Sequence, residues 1–205
     1  MAYVTVEDMV LRLNGRIEAS ARPLLSVAID EACAAIDLHC RQSFAKADTA
    51  TARVYVPFAA TVAYVDPFWT TSDLVIATDD NDDGTCETTW TSASYALDQF
   101  GGELAPMLAA PYDTIRALDR LFPTAGRRRR TLQVTAKWGW SAPPSNVVAA
   151  TKIVAHDLWK RKDVAFGIST SGVAEFGGLR IGRDVLGQVE SLLADLVRYD
   201  RAGIA

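Results

Sequence analysis

The chain has 205 residues, 49% of them hydrophobic and 22% charged, with three cysteines and a formal net charge of −4. That composition can fill a core without metal or disulfide help, and it excludes disordered, collagen-like and coiled-coil chains. No apolar run reaches the ~18 residues of a membrane span, and MAYVTVEDMV lacks the basic and apolar regions of a secretory signal, so a soluble chain without a membrane partner is expected.

The charge is unevenly spread. Residues 1–126 carry 8 Lys/Arg against 18 Asp/Glu, residues 127–162 carry 9 against 1, and residues 163–205 carry 4 against 6. An acidic chain is a poor candidate for tight free DNA binding, since affinity follows the number of phosphates neutralised. Polarity of this kind suits contact between unlike faces of neighbouring subunits.

In chain order, Thr5 with Asp8 three residues on predicts a capped helix whose stripe is Val6, Met9, Val10 and Leu13, stopped at Asn14-Gly15. A longer helix is expected from Pro23 to about Arg41, with Leu24, Val27, Ala28, Ala32, Ala35, Ile36 and Leu38 on its apolar face. From Thr51 to Ala136 short β-branched and aromatic runs recur between turn signals: Ala52–Val56, Val62–Val65, Leu74–Ala77, Glu87–Thr91, Tyr95–Leu97, Thr114–Leu118 and Leu132–Ala136. Helical spacing returns after Pro143-Pro144, with Ser145 or Asn146 as the cap and Val147, Ala150, Ile153, Val154, Leu158 and Trp159 on the buried side. A Gly-rich connector, Phe166–Gly182, leads to a last helix from Asp184 to about Arg198 with the stripe Val185, Val189, Leu192, Leu193 and Leu196. The fold class read from this order is α+β: an α-helical bundle of N- and C-terminal helices (1–48 and 142–205) with an inserted small antiparallel β-module (49–141).

Catalytic and metal chemistry find little support. Asp79, Asn81, Asp83 and Gly84 match the opening positions of a calcium loop, but Trp90 stands where the closing bidentate Glu belongs, and the flanks read as strands. A solvated hairpin turn is the better reading. His39, Cys40, Cys33, Cys86 and His156 have no zinc-ligand spacing, and reduced, partly buried thiols are expected. Ser169 lies in a stretch resembling a nucleophile elbow without the required second glycine, and His156-Asp157 are helix neighbours that cannot orient one another. Gly177 and Gly182 bracket four residues as in a phosphate loop, but Arg183-Asp184 replaces the Lys-Ser/Thr pair. No enzyme, cofactor or metal is expected. The run Arg127, Arg128, Arg129 and Arg130 suits either phosphates or an acidic neighbouring subunit, and equally a solvated loop.

Three motifs carry a resemblance. Ala32-Cys-Ala-Ala-Ile36 leads into Arg41-Gln-Ser-Phe44; Val134-Thr-Ala-Lys-Trp138-Gly139-Trp140 leads through Ser-Ala into Pro143-Pro144; and Val147, Ala150, Leu158, Trp159 and Arg161 follow at helical spacing. In this order they resemble the head-tail connector, or adaptor, proteins of long-tailed bacteriophages, whose tyrosine position here is Trp159. The resemblance implies a virion structural protein at the head-tail junction, made in the host cytoplasm. Such proteins form a ring, usually of twelve subunits, below the portal protein, extend the DNA tunnel and dock a stopper or other neck or tail protein. Double-stranded DNA would pass through without sequence-specific binding. By the same resemblance the C-terminal segment reaches the portal, with Phe176, Leu179, Arg180, Ile181 and Val185 as contacts. Arg127–Arg130, Lys160 and Arg161 are expected between subunits or facing DNA, and Trp138, Gly139, Trp140, Pro143 and Pro144 form the structural turn. The alternatives are a tail-completion protein on the tail side and a DNA-binding packaging accessory protein.

Overall fold

The computed structural model describes residues 2–15, 17–102, 109–124, 130–161, 173–176 and 179–198, the stretch between 173 and 184 by its backbone alone. Two units are distinguished: Met1–Ala45 with Pro143–Arg198, and Lys46–Ala142.

In the helical unit, Thr5 caps α1 (Val6–Arg12) with a reciprocal box: its hydroxyl accepts from the Asp8 N–H at 3.1 Å, and the Asp8 carboxylate accepts from the Thr5 N–H at 3.2 Å. Asn14 and Gly15 both take left-handed φ (57° and 68°) and end the helix as expected. Pro23 sits in the first turn of α2 (Arg22–Cys40), and Arg41 closes it with a left-handed φ of 53°. The Tyr3 hydroxyl donates to Asp37 Oδ1 at 2.6 Å and accepts from the Phe44 N–H at 3.0 Å, tying the chain before α1 to the chain after α2.

The buried face of α2 matches the expected one at Ala28, Ala32, Ala35 and Ile36 and departs from it at Leu24, Val27 and Leu38. Leu25, Ala28, Ile29, Ala32, Cys33, Ala35, Ile36 and Cys40 are buried, whereas Leu24, Val27 and Leu38 face outward. The helix carries two apolar stripes, and the core takes the one richer in alanine. The third helix, α3 (Ser145–Arg161), packs on α2 and contributes Val147, Ala150, Thr151, Val154 and Ala155, again mostly small residues. Ile153 and Leu158, expected inside, are half-buried.

The predicted connector contains regular structure: β7 (Val173–Phe176) and β8 (Leu179–Gly182) form an antiparallel hairpin, with Phe176 opposite Leu179 and Glu175 opposite Arg180. A glycine count alone cannot separate a free loop from a tight hairpin. The chain continues into α4 (Arg183–Leu193), which packs on α3 and buries Val189 and Leu193, followed by a short turn that buries Leu196. This end is tied down twice: Gln42 Nε2 donates to the Leu196 carbonyl at 2.6 Å, and the Arg198 N–H donates to the Cys40 carbonyl at 3.0 Å.

The second unit is an antiparallel sheet in the order β1-β6-β2-β5-β4, with β3 added to β2. Its strands are β1 (Thr51–Tyr55), β2 (Val62–Thr78), β3 (Thr88–Thr89), β4 (Tyr95–Gln99), β5 (Tyr112–Ala117) and β6 (Leu132–Trp138). The runs Val62–Val65 and Leu74–Ala77, expected as two strands, belong to the single long β2. Its first half pairs with β5 and its second with β6, and the register shifts between Tyr64 and Phe68 and again between Phe68 and Val75. The polar and proline residues between the two runs sit at these irregularities, and Asp73 takes a left-handed φ of 62°, so the strand bends without ending.

Side chains alternate along β6, buried at Leu132, Val134, Ala136 and Trp138. With Ala63, Val65, Phe68, Ile76, Trp90, Ile115 and Phe122 they form the core of this unit. Trp90 stacks on Phe122 with centroids 4.7 Å apart, and its indole N–H donates to Thr78 Oγ1 at 2.9 Å. Trp138 meets Phe68 edge-on at 6.2 Å, and its N–H donates to the Thr51 carbonyl at 2.9 Å. Each buried indole thus hides its ring and satisfies its polar atom.

Candidate interaction surfaces

Among the described residues, no group of three His, Cys, Asp or Glu side chains gathers in a way that could hold a metal ion. The acid-rich turn after β2 spends its acceptors on itself: the Asp79 carboxylate takes the N–H groups of Asp83 (3.2 Å) and Gly84 (2.8 Å), and Asp83 takes the Thr85 N–H at 2.8 Å. These bonds build a tight turn. Cys33 and Cys40 are buried, and burial pushes the Cys40 thiol up to about 12, far from a reactive thiolate. His156 is held below its ordinary range by burial and then by the nearby Lys160 and Arg12 cations. Ser169 lies outside the described residues.

Gly139 takes φ +93° directly after β6, a conformation that favours glycine, and its N–H donates to the Pro67 carbonyl at 2.7 Å. Trp138 and Trp140 are both buried, and Trp140 meets Phe100 edge-on at 5.7 Å. Pro144 is buried and Pro143 half-buried, and the Pro144 carbonyl accepts the Val148 N–H at 3.1 Å as α3 begins.

The expected basic residues fall partly outside the described residues. Arg127, Arg128 and Arg129 lie outside the described residues, and Arg130 is exposed just before β6. On α3, Lys152 lies 3.8 Å from Asp8 and Arg161 lies 3.0 Å from Asp157, whereas Lys160 is exposed. Two cations of this helix are therefore engaged within the helical unit. The expected portal contacts fall on the C-terminal hairpin and helix: Phe176 on β7, Leu179, Arg180 and Ile181 on β8, and the half-buried Val185 in the first turn of α4.

Two apolar surfaces were not legible as such in the sequence. On α2, Leu24, Val27, Glu31, Ala34 and Leu38 are all exposed and follow one another at alternating spacings of three and four. Leu24, Val27 and Leu38 keep 52%, 50% and 63% of their surface. In the sheet unit, the chain leaving β5 exposes Leu118 (63%) and Leu121 (64%) on either side of Asp119-Arg120. The ends of this loop are pinned: the Leu118 N–H donates to the Ser94 carbonyl at 2.9 Å, and the Phe122 N–H donates to the Ala60 carbonyl at 2.8 Å. The Arg120 guanidinium lies 5.3 Å over the Trp90 ring, which itself stacks on Phe122. Where large exposed aliphatic groups are contiguous they are candidates for an interaction surface. The signal available for α2 was a second heptad-spaced stripe interrupted by an acid.

No family model and no curated protein matches the chain. Solved structures do. One, the neck of an empty GTA particle computed with C6 symmetry, superposes with a TM-score of 0.55 over 93% of this chain and 89% of that chain, at 15% identity. Another, the neck of a native GTA particle computed with C12 symmetry, superposes with a TM-score of 0.50 over 100% and 97%, also at 15% identity. At this identity the likeness is one of fold.

Proposed function

We propose that the protein is a structural component of the neck of a tailed particle, a head-to-tail adaptor that assembles as a ring below the portal. The observation that carries the reading is the superposition of 93% of the chain on a chain of a particle neck. The Trp138-Gly139-Trp140 turn into Pro143-Pro144 and α3 supports it, as this is the motif order on which the resemblance to adaptors rests. The ring extends the DNA channel and docks the next neck or tail component. A net charge of −10 over residues 1–126 suits a conduit through which DNA passes without sticking. In this reading the hairpin and α4 reach the portal through Phe176, Leu179, Arg180, Ile181 and Val185, and the protein performs no catalysis.

Co-sedimentation with the portal protein of the same particle, followed by mass determination of the complex, tests this. The expected result is a ring-sized complex that Phe176→Asp with Leu179→Asp abolishes while the helical content of the free chain is unchanged. A chain that ignores the portal yet binds tail components is a tail-side completion protein instead.

A further inference from the structure

The stripe on α2 cannot serve for pairing with itself. It runs from Leu24 to Leu38, about 21 Å along the helix, and Glu31 stands at its midpoint. An α2–α2 contact between two copies, parallel or antiparallel, would set Glu31 against Glu31 in an apolar seam. Two carboxylates desolvated together oppose such a contact strongly. No ion pair engages Glu31 among the described residues. The surface that covers this stripe must therefore be apolar and bring a cation.

The loop after β5 has that chemistry. Leu118 and Leu121 are apolar and exposed, and Asp119 and Arg120 lie between them; Asp119 accepts from the Ser94 hydroxyl at 3.3 Å, and no carboxylate pairs with Arg120 among the described residues. The stacking of Arg120 on Trp90, and of Trp90 on Phe122, holds the loop in one shape before contact, which lowers the ordering cost of docking. Resting on the ring assembly proposed above, we infer that the Leu118–Leu121 loop of one copy seats on the α2 stripe of the adjacent copy, its leucines against Leu24, Val27 and Leu38 and Arg120 against Glu31. The two patches are different and belong to different units of the chain. Repeated head to tail, such a contact between unlike patches is heterologous, the type that closes a ring.

The test is charge reversal with rescue in the full chain, read by sedimentation velocity over a concentration series. Glu31→Arg and Arg120→Glu should each weaken self-association about tenfold or more, and the two together should restore it. In parallel, chains carrying Val27→Cys and Leu121→Cys, each in a Cys86→Ser background, are mixed at high concentration and oxidised. The mixture should give mixed dimers far above those formed by Val75→Cys, an exposed control on β2. Oligomers that ignore both reversals, or cross-links no better than the control, overturn the inference and leave the ring reading standing. A wild-type chain that stays monomeric, with no cross-link above the control, counts against both. Circular dichroism of each variant separates lost contact from lost fold.

Discussion

The two units bury their apolar surface by different means. The sheet unit is built on large rings: Trp138 against Phe68 and Tyr55, and Trp90 flat on Phe122. The helical unit mixes aliphatic residues such as Leu25, Ile29 and Ile36 with many small ones: Ala28, Ala32 and Ala35 on α2 and Ala150 and Ala155 on α3. Rings supply much buried area per residue and keep their own polar atoms satisfied through Thr51 and Thr78. Alanines supply little area but let two helix backbones approach, so stability there comes from close packing along the helices and from the ties at Tyr3, Gln42 and Arg198. On α2 this leaves Leu24, Val27 and Leu38 outside, available for a neighbour, while Leu25, Ile29 and Ile36 are buried.

The sharpest way to break this contrast is to remove a ring. Trp138→Ala deletes a side chain that is 4% exposed and removes its hydrogen bond to the Thr51 carbonyl, and it should cost about 3–5 kcal/mol in chemical denaturation. In the helical unit the damaging change is the opposite one. Ala32→Leu forces a branched side chain into a fully buried position and should cost about 1–3 kcal/mol, whereas Leu38→Ala, on the exposed stripe, should stay within about 0.5 kcal/mol. A destabilising Leu38→Ala would mean that the stripe is covered within the chain itself. Tyr3→Phe keeps the ring contact with Phe44 at 6.1 Å but removes the hydroxyl that Asp37 and the Phe44 N–H both use. A loss of about 1–3 kcal/mol is expected, measured the same way.

Much of this was legible in the sequence, and the misses have physical causes. The α+β order, the Thr5 cap, the Asn14-Gly15 stop and the Trp138–Trp140 turn depend on local chemistry that a few adjacent residues specify. On α2 the expectation fails at Leu24, Val27 and Leu38, which outrank alanine in hydrophobicity, while the choice between two stripes is made by the partner helix. The bends in β2 were read as breaks because Asp66-Pro67 and Ser72-Asp73 are turn-forming pairs, and only pairing with both β5 and β6 carries the strand through them. The cationic loop at Arg120 carries no local signal in the sequence, since its shape depends on Trp90, thirty positions away.

The smallest effect expected is also the most specific to the helical unit, where two carboxylates respond to pH with opposite signs. Burial raises the Asp37 carboxyl above its ordinary 3.8, and the hydrogen bonds from Tyr3, Ser43 and the Phe44 N–H only partly oppose this. The folded chain therefore binds this proton more tightly than the unfolded chain does. The contribution of Asp37 is full below 3.8 and is lost as pH rises through the raised folded value. Asp8 is exposed, and the Thr5 hydroxyl and N–H hold it below 3.8, so its contribution is present above that value and lost as pH falls through the depressed one. Urea titrations of wild type, Asp37→Asn and Asp8→Asn at a series of pH values should give difference curves that slope in opposite directions. Parallel curves would show that Asp37 is not desolvated under Tyr3, and that the tie between the start of the chain and the end of α2 is looser than the 2.6 Å hydrogen bond implies.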